Sequence, residues 1–135
     1  MGWGKFLLPA LVPARKGTET MTLVKRDYLA ILTEAFAAPV VVERPSGCGR
    51  VYVVLGASWD ASEEAKAQAK ADAKGIAAAA KKLGKIWQAK SHYGDRNALY
   101  VGYDNHTGYE LGKGTAIERV LKAHGIDCYR NEHGD

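Results

Sequence analysis

Apolar and polar residues recur along this chain with two different periods, and each period predicts a different element. Apolar residues spaced three and four apart predict a first helix over residues 22–37, which Pro39 ends. Alternating residues between turn formers predict strands, because successive side chains of a strand point to opposite faces. The four predicted strands span residues 40–43, 50–55, 98–103 and 126–130.

The longest helical pattern covers residues 60–90 and is rich in alanine, the residue with the highest helix propensity. Asp60 is the expected N-cap, with Glu63 three residues later as in a capping box. At about 100° per residue, an apolar side that includes Ile76 and Trp87 faces inward. We therefore predict one long central helix that packs this side against the rest of the protein.

A third helix is expected to begin at Thr115, where Glu118 completes a second capping box, and Gly125 is its expected C′ residue. The order α-β-β-α-β-α-β predicts an α+β fold, with a small antiparallel or mixed four-stranded sheet and helices packed on one face. Residues 21–135 are expected to form this single domain. Residues 1–20 have irregularly spaced Gly and Pro and predict an extended N-terminal arm; alternatively, Met21 is the natural start.

Positive charge is concentrated in the central helix. Seven lysines and one acidic residue, Asp72, lie between Lys66 and Lys90, whereas the formal net charge of the whole chain is +4. Five of these lysines share one side of the helix over about 28 Å of its axis; they are Lys66, Lys70, Lys74, Lys81 and Lys85. Two interpretations stay open: a solvated face that keeps the protein soluble, or a stripe that meets phosphates or an acidic partner.

Tyrosines are concentrated in the predicted sheet. Tyr52 and Tyr100 alternate with the apolar residues of their strands, so both are expected on the face away from the core. Beside a basic helix, such a face can stack unpaired bases while lysines hold the nucleic-acid backbone. The alternatives are a sheet covered on both faces and a tyrosine surface that binds a protein partner.

Residues with catalytic or metal-binding chemistry occur without the spacing that such chemistry needs. The run 112–115 (G-K-G-T) resembles part of a phosphate loop but departs from that pattern at two positions. Two interpretations of the run remain: a helix N-terminus that binds a single phosphate, or an ordinary capped turn. His124, Cys128 and His133 are only three candidate metal ligands, on different elements. No nucleophile stands beside a base in the sequence. We therefore predict a protein that is not an enzyme and has no metal or cofactor.

Two cysteines, Cys48 and Cys128, are too few for a disulfide framework. We expect free thiols in a reducing compartment, although the two could pair in a secreted chain. No apolar run is long enough to cross a bilayer. These features predict a cytoplasmic protein that does not bind a membrane.

The C-terminal third of the chain resembles small α+β domains of bacteriophage and mobile-element proteins. The residues that carry the resemblance are the YVGYDN…TG turn within residues 98–108 and the HGIDCY strand within residues 123–129. The large polyvalent-protein-associated domains are the family to which these motifs are most similar. The resemblance implies a phage or plasmid origin and a host-cell location, and it assigns no functional residue.

The sequence thus predicts a non-enzymatic binding protein. The first hypothesis is that it binds DNA or RNA through the five lysines, together with Tyr52 and Tyr100. The alternative is a phage-encoded inhibitor of a host defence protein, similar in action to anti-CRISPR proteins, in which the same lysines meet acidic residues of the partner. The oligomeric state is left open.

Overall fold

A computed structural model describes the backbone of residues 10–16, 19–44 and 47–134, and the side chains from residue 22 onward within those ranges. Its strands are β1 (Ala10–Lys16), β2 (Glu19–Lys25), β3 (Cys48–Leu55), β4 (Trp87–Lys90), β5 (Arg96–Asn105) and β6 (Cys128–Gly134). Its helices are α1 (Tyr28–Ala37), α2 (Glu63–Lys82) and α3 (Tyr109–Ala123).

The predicted α+β fold class is confirmed. Strands β4, β5, β3 and β6 form one antiparallel sheet in that order, and β1 pairs with β2 in a separate antiparallel hairpin. The three helices pack on one face of the sheet, where alternate strand residues such as Val51, Val53 and Leu99 join them in the main core. The opposite face carries a second, smaller cluster around Tyr52.

One predicted strand is replaced by another. Residues 40–43 do not form a strand, and the fourth strand of the sheet is β4. The chain at Glu43 instead lies against the start of α3, where its backbone N–H donates to the carbonyl oxygen of Gly108 at 3.0 Å. Three consecutive valines favour extended backbone, but that preference does not decide which partner the segment meets.

The central helix is shorter than predicted at both ends. Ser62, rather than Asp60, is the N-cap, and its hydroxyl accepts from the backbone N–H of Ala65 at 3.1 Å. The helix ends at Lys82 because Gly84 adopts a left-handed φ of 70°. The N–H groups of Gly84 and Lys85 then donate back to the carbonyls of Lys81 and Ala80, the two bonds of a Schellman motif. The prediction that this helix continues to residue 90 was therefore wrong.

The N-terminal part of the first predicted helix is also different. Residues 22–25 belong to β2, and the helix begins at Tyr28 behind the N-cap Asp27. β2 is held beside α2 by Gln68, whose side-chain amide makes two hydrogen bonds to the backbone of Val24, at 2.7 and 3.0 Å. The β1–β2 hairpin includes part of the predicted arm and continues past residue 20, where the arm was expected to end. The other residues of the arm, 1–9 and 17–18, lie outside the described part of the chain.

A buried ion pair joins the hairpin to all three helices. Asp72 on α2 is 1% exposed, and its Oδ1 accepts from Arg26 Nε at 3.1 Å, Tyr28 Oη at 2.6 Å and Gln68 Nε2 at 2.9 Å. Burial, and then the bond to Asp72, raise the pKa of Tyr28. The Arg26 guanidinium also donates to the carbonyls of His124 and Gly125 at the end of α3.

We predict that Asp72→Ala lowers the free energy of unfolding by about 3 kcal/mol or more, because it leaves the Arg26 guanidinium buried without its carboxylate. Urea unfolding of the whole chain measures the change. The matched control is Glu118→Gln, which removes the exposed 2.8 Å ion pair with Lys122 and should cost about 0.5 kcal/mol or less. Equal small effects of the two variants would contradict a central role for Asp72.

Candidate functional site

Four lysines form a stripe along the outer side of α2. Their side chains are exposed, whereas the residues on the inner side of the helix, including Ala73, Ile76 and Ala80, are buried in the main core. At 1.5 Å per residue the stripe covers about 22 Å, and it occupies about 80° of the helix circumference at 100° per residue. We call this set the lysine stripe; its members are Lys66, Lys70, Lys74 and Lys81.

Lys85, the fifth predicted member, does not belong to the stripe. It follows the end of α2, and its ammonium nitrogen lies 4.3 Å from the centre of the Phe36 ring on α1. A cation above an aromatic face is attracted by the negative face of the ring. Lys85 therefore contributes to packing between α1 and the end of α2. Trp87, predicted to end the inner side of the helix, does pack against the core but from β4.

The lysine stripe is almost free of neutralising carboxylates. Among the described side chains, the closest acidic partner is Glu63, 4.0 Å from Lys66, and no ion pair engages Lys70, Lys74 or Lys81. The one acidic residue within the lysine-rich stretch, Asp72, is turned inward to Arg26. The positive charge of α2 is therefore concentrated on its solvent side.

Tyr52 and Tyr100 lie on the face of the sheet away from the helices, as predicted, and face each other across β3 and β5. That placement separates them from the lysine stripe, since the sheet and the body of α2 lie between. Tyr52 is also only 2% exposed. Its ring is surrounded by those of Tyr100, Tyr93 and His133, with centroids 5.4, 6.5 and 6.0 Å away. A base cannot stack on the Tyr52 ring in this arrangement.

A polar and aromatic network covers Tyr52. The Tyr93 ring stacks on His133 with centroids 4.4 Å apart, and Arg50 Nη1 donates to Tyr93 Oη at 2.7 Å. Asp95 contacts His133 Nε2 at 2.6 Å and accepts from Asn131 at 3.2 Å. Burial, and then the neighbouring Tyr93, raise the pKa of Tyr52. The loop between β4 and β5 is thereby attached to the sheet.

A β-bulge brings a further tyrosine to this face. Val51 pairs with Gly102 but Tyr52 pairs with Tyr100, so Val101 is an extra residue of β5. Beyond the bulge the alternation is reversed, and Tyr103 lies on the tyrosine face with its ring 5.9 Å from the Arg50 guanidinium. A strand without a bulge would place Tyr103 on the same face as Leu99 and Val101, and the sequence pattern does not reveal a bulge because a bulge has no periodic signature.

The suspected phosphate loop lies inside a helix. α3 begins at Tyr109, so Thr115 is not its N-cap and residues 112–115 present no helix N-terminus. Gly112 instead permits the chain at Val41 to approach, since a Cβ there would lie 2.0 Å from the Val41 carbonyl oxygen. Thr115 donates to Glu43, which also pairs with Arg130 at 2.6 Å. The bond from Thr115, against a smaller effect of burial, lowers the pKa of Glu43, and Arg130 lowers it further.

The true N-terminus of α3 is occupied by a carboxylate of the chain itself. Asp104, 2% exposed, accepts from four backbone N–H groups, those of residues 107, 108, 110 and 111, at 2.9 to 3.2 Å. Burial acts to raise the pKa of Asp104, but these hydrogen bonds together outweigh it and lower the pKa. An external phosphate therefore has no free N–H groups to bind at this helix end.

The three candidate metal ligands near the C-terminus have separate surroundings. His124 contacts Glu34 at 2.9 Å between α3 and α1, while His133 lies on the tyrosine face beside Asp95. Cys128 is buried in the main core, and burial raises the pKa of its thiol to about 12. Within the described ranges, no three His, Cys, Asp or Glu residues converge as metal ligands.

A thiol and an imidazole that are distant in sequence do meet. Cys48 Sγ lies 2.8 Å from His106 Nε2 at the paired ends of β3 and β5. Both cysteines are unpaired thiols. Local sequence patterns do not indicate this pair, because 58 residues separate its members.

Comparison of the chain with protein-family models, with curated proteins and with solved structures finds no match. The similarity to large polyvalent-protein-associated domains therefore stays a prediction. Among the helices that the structure describes, none combines the length and apolar character needed to cross a membrane.

We predict that stability falls in acid partly through Asp104. The pKa of Asp104 is lower in the folded state than in the unfolded chain, so the unfolded chain is protonated first as the pH falls. The stabilisation from Asp104 is therefore present above the unfolded pKa of about 3.9 and is lost as the pH falls through the folded pKa. Asp104→Asn should lower the free energy of unfolding at pH 7 and flatten its decrease below pH ~4. Urea unfolding at several pH values measures both; an unchanged acid slope would contradict the assignment.

Proposed function

We propose that this protein binds nucleic acid without catalysis, and that the lysine stripe on α2 makes the contact. One observation carries the proposal: four exposed ammonium groups follow one side of a helix, and of these four only Lys66 has a carboxylate of the described side chains within 4.0 Å. Phosphate backbones attract such a row of charges through direct contact and through release of condensed counterions.

The distribution of charge favours an anionic partner over a general role in solubility. Outside residues 66–90 the chain has more acidic than basic residues, so the positive potential belongs to one surface. A protein that needs charge only for solubility gains nothing from placing it on one helix side, where like charges four residues apart oppose helix formation slightly. The single-sided arrangement is what a linear polyanion requires.

The composition of α2 also suits close approach to a backbone. Alanines lie between and beside the lysines, and their short side chains do not obstruct the approach of a nucleic-acid backbone; they include Ala67, Ala71, Ala77 and Ala78. Lysine is a flexible point charge that meets phosphates without the fixed geometry needed to read bases. We therefore propose binding that depends on the backbone and is largely independent of sequence. The tyrosine face takes no part in it.

We predict that the double variant Lys70→Gln, Lys74→Gln weakens duplex DNA binding and makes it less sensitive to salt. Four neutralised phosphates correspond to a slope of about −3.6 in a plot of log K against log salt concentration, and two to about −1.8. Fluorescence anisotropy of a labelled duplex, measured over a series of salt concentrations, gives both slopes.

The matched control is Lys90→Gln, Lys122→Gln, which removes the same charge from exposed positions on β4 and α3. It should leave the slope within about one unit of the wild-type value. Equal losses in the two double variants would mean that net charge alone drives binding. Absence of binding by the wild-type chain at low salt would disprove the proposal.

A second candidate is the inhibitor of a host defence protein, with the lysine stripe on an acidic surface of that protein. The observation that favours a protein partner is the exposure of Val41 and Val42, which are 73% and 59% exposed beside α3. Pull-down from nuclease-treated host lysate separates the candidates. Stoichiometric recovery of one protein, lost in the Lys70→Gln, Lys74→Gln variant, supports inhibition; loss of all partners on nuclease treatment supports nucleic-acid binding.

A further inference from the structure

Cys48 and His106 form a solvent-accessible thiol–imidazole pair at one end of the sheet. Cys48 Sγ lies 2.8 Å from His106 Nε2, and Asn105 Oδ1 is 3.6 Å from the same sulfur. Cys48 pairs with Asn105 across the β3–β5 ladder, so the sheet register fixes the position of the thiol. This arrangement places a base within hydrogen-bond reach of a nucleophile.

The backbone at His106 is held in an unfavourable conformation. His106 has a φ of 63°, in the left-handed region that residues other than glycine rarely adopt. The turn that imposes it is fixed by Asp104, whose carboxylate accepts from the N–H groups of Thr107 and Gly108. The chain therefore reverses immediately after β5, and the imidazole is directed back to Cys48.

The two cysteines of the chain have opposite environments. Cys48 is half-buried and His106 is exposed, so a dissolved reagent can reach the sulfur. Cys128 is buried, and its thiol donates to the backbone carbonyl of Glu118 at 3.7 Å. Cys128 therefore serves as an internal reference for an unreactive thiol.

An exposed cation lies on the same face of β3 as the accessible thiol. Arg50 is two residues from Cys48 on the same face of β3, about 7 Å along the strand. Its exposed guanidinium lies 5.9 Å from the ring centres of Tyr93 and Tyr103, which hold it over this end of the tyrosine face. A guanidinium on this face attracts a negatively charged reagent.

We propose that Cys48 and His106 form a thiol–disulfide exchange site that reacts with small anionic disulfides, with Arg50 attracting the carboxylates of the reagent. His106 takes the thiol proton, and the Cys48 thiolate attacks one sulfur of the disulfide. A new S–S bond forms as the old one breaks, and the second sulfur leaves with the electron pair and is protonated from His106. Cys48 is oxidised to a mixed disulfide and one half of the reagent is reduced to a thiol.

The test is the rate at which oxidised glutathione modifies the native full-length chain at pH 6.5, followed by mass spectrometry of the peptides that contain each cysteine. We expect Cys48 to react roughly fivefold faster than free cysteine, because His106 lies within hydrogen-bond reach to take the thiol proton and Arg50 attracts the anionic reagent. Cys128 should stay unmodified. Reaction of Cys48 at or below the rate of free cysteine would overturn the proposal.

The variant His106→Asn removes the base while keeping a residue that tolerates a left-handed φ. It should reduce the Cys48 rate to that of free cysteine. The control His124→Asn changes the histidine at the other end of α3 and should leave the rate unchanged. A rate unaffected by His106→Asn would also overturn the proposal.

The contribution of Arg50 is tested with a neutral reagent, hydroxyethyl disulfide. Arg50→Gln should slow the reaction with oxidised glutathione several-fold more than the reaction with the neutral disulfide. An equal effect on both reagents would contradict the preference for anionic disulfides.

Discussion

The contact between Arg26 and Asp72 fixes the arrangement on which the proposed function depends. One carboxylate oxygen accepts from Arg26, Tyr28 and Gln68, and the remaining donors of Arg26 reach the last carbonyls of α3. The end of the β1–β2 hairpin and the three helices thus share one buried charge pair. Such a pair is favourable only when its hydrogen bonds are complete, which specifies a single packing of these elements.

The same contact shapes the surface charge. Asp72 is the only carboxylate within the lysine-rich stretch, and its burial directs it away from solvent. The lysine stripe on the other side of α2 therefore keeps its positive charge without an acidic residue of the same stretch beside it. The inner side of α2 thus carries the charge pair that organises the core, and its outer side carries the positive charge that can attract polyanions.

The fold separates three kinds of chemistry. The lysine stripe lies outside the helical layer, while Tyr52 and its neighbours lie across the sheet from it. The Cys48–His106 pair lies at the end of that same sheet face, where the turn held by Asp104 reverses the chain. The proposed binding at the lysine stripe and the proposed reaction at Cys48 therefore share no residue.

The sequence by itself determined the α+β class, three strands of the sheet, the lysine stripe from Lys66 to Lys81 and Gly125 as the C′ residue of α3, whose φ is 83°. These features depend on periodicity, composition and residues a few positions apart, so a local pattern records them. Only the tertiary structure decided that residues 40–43 pack on α3, that Asp72 meets Arg26, and that Cys48 meets His106. Each depends on which distant segments pair and in what register, and a bulge at Val101 changes the register without changing the local pattern.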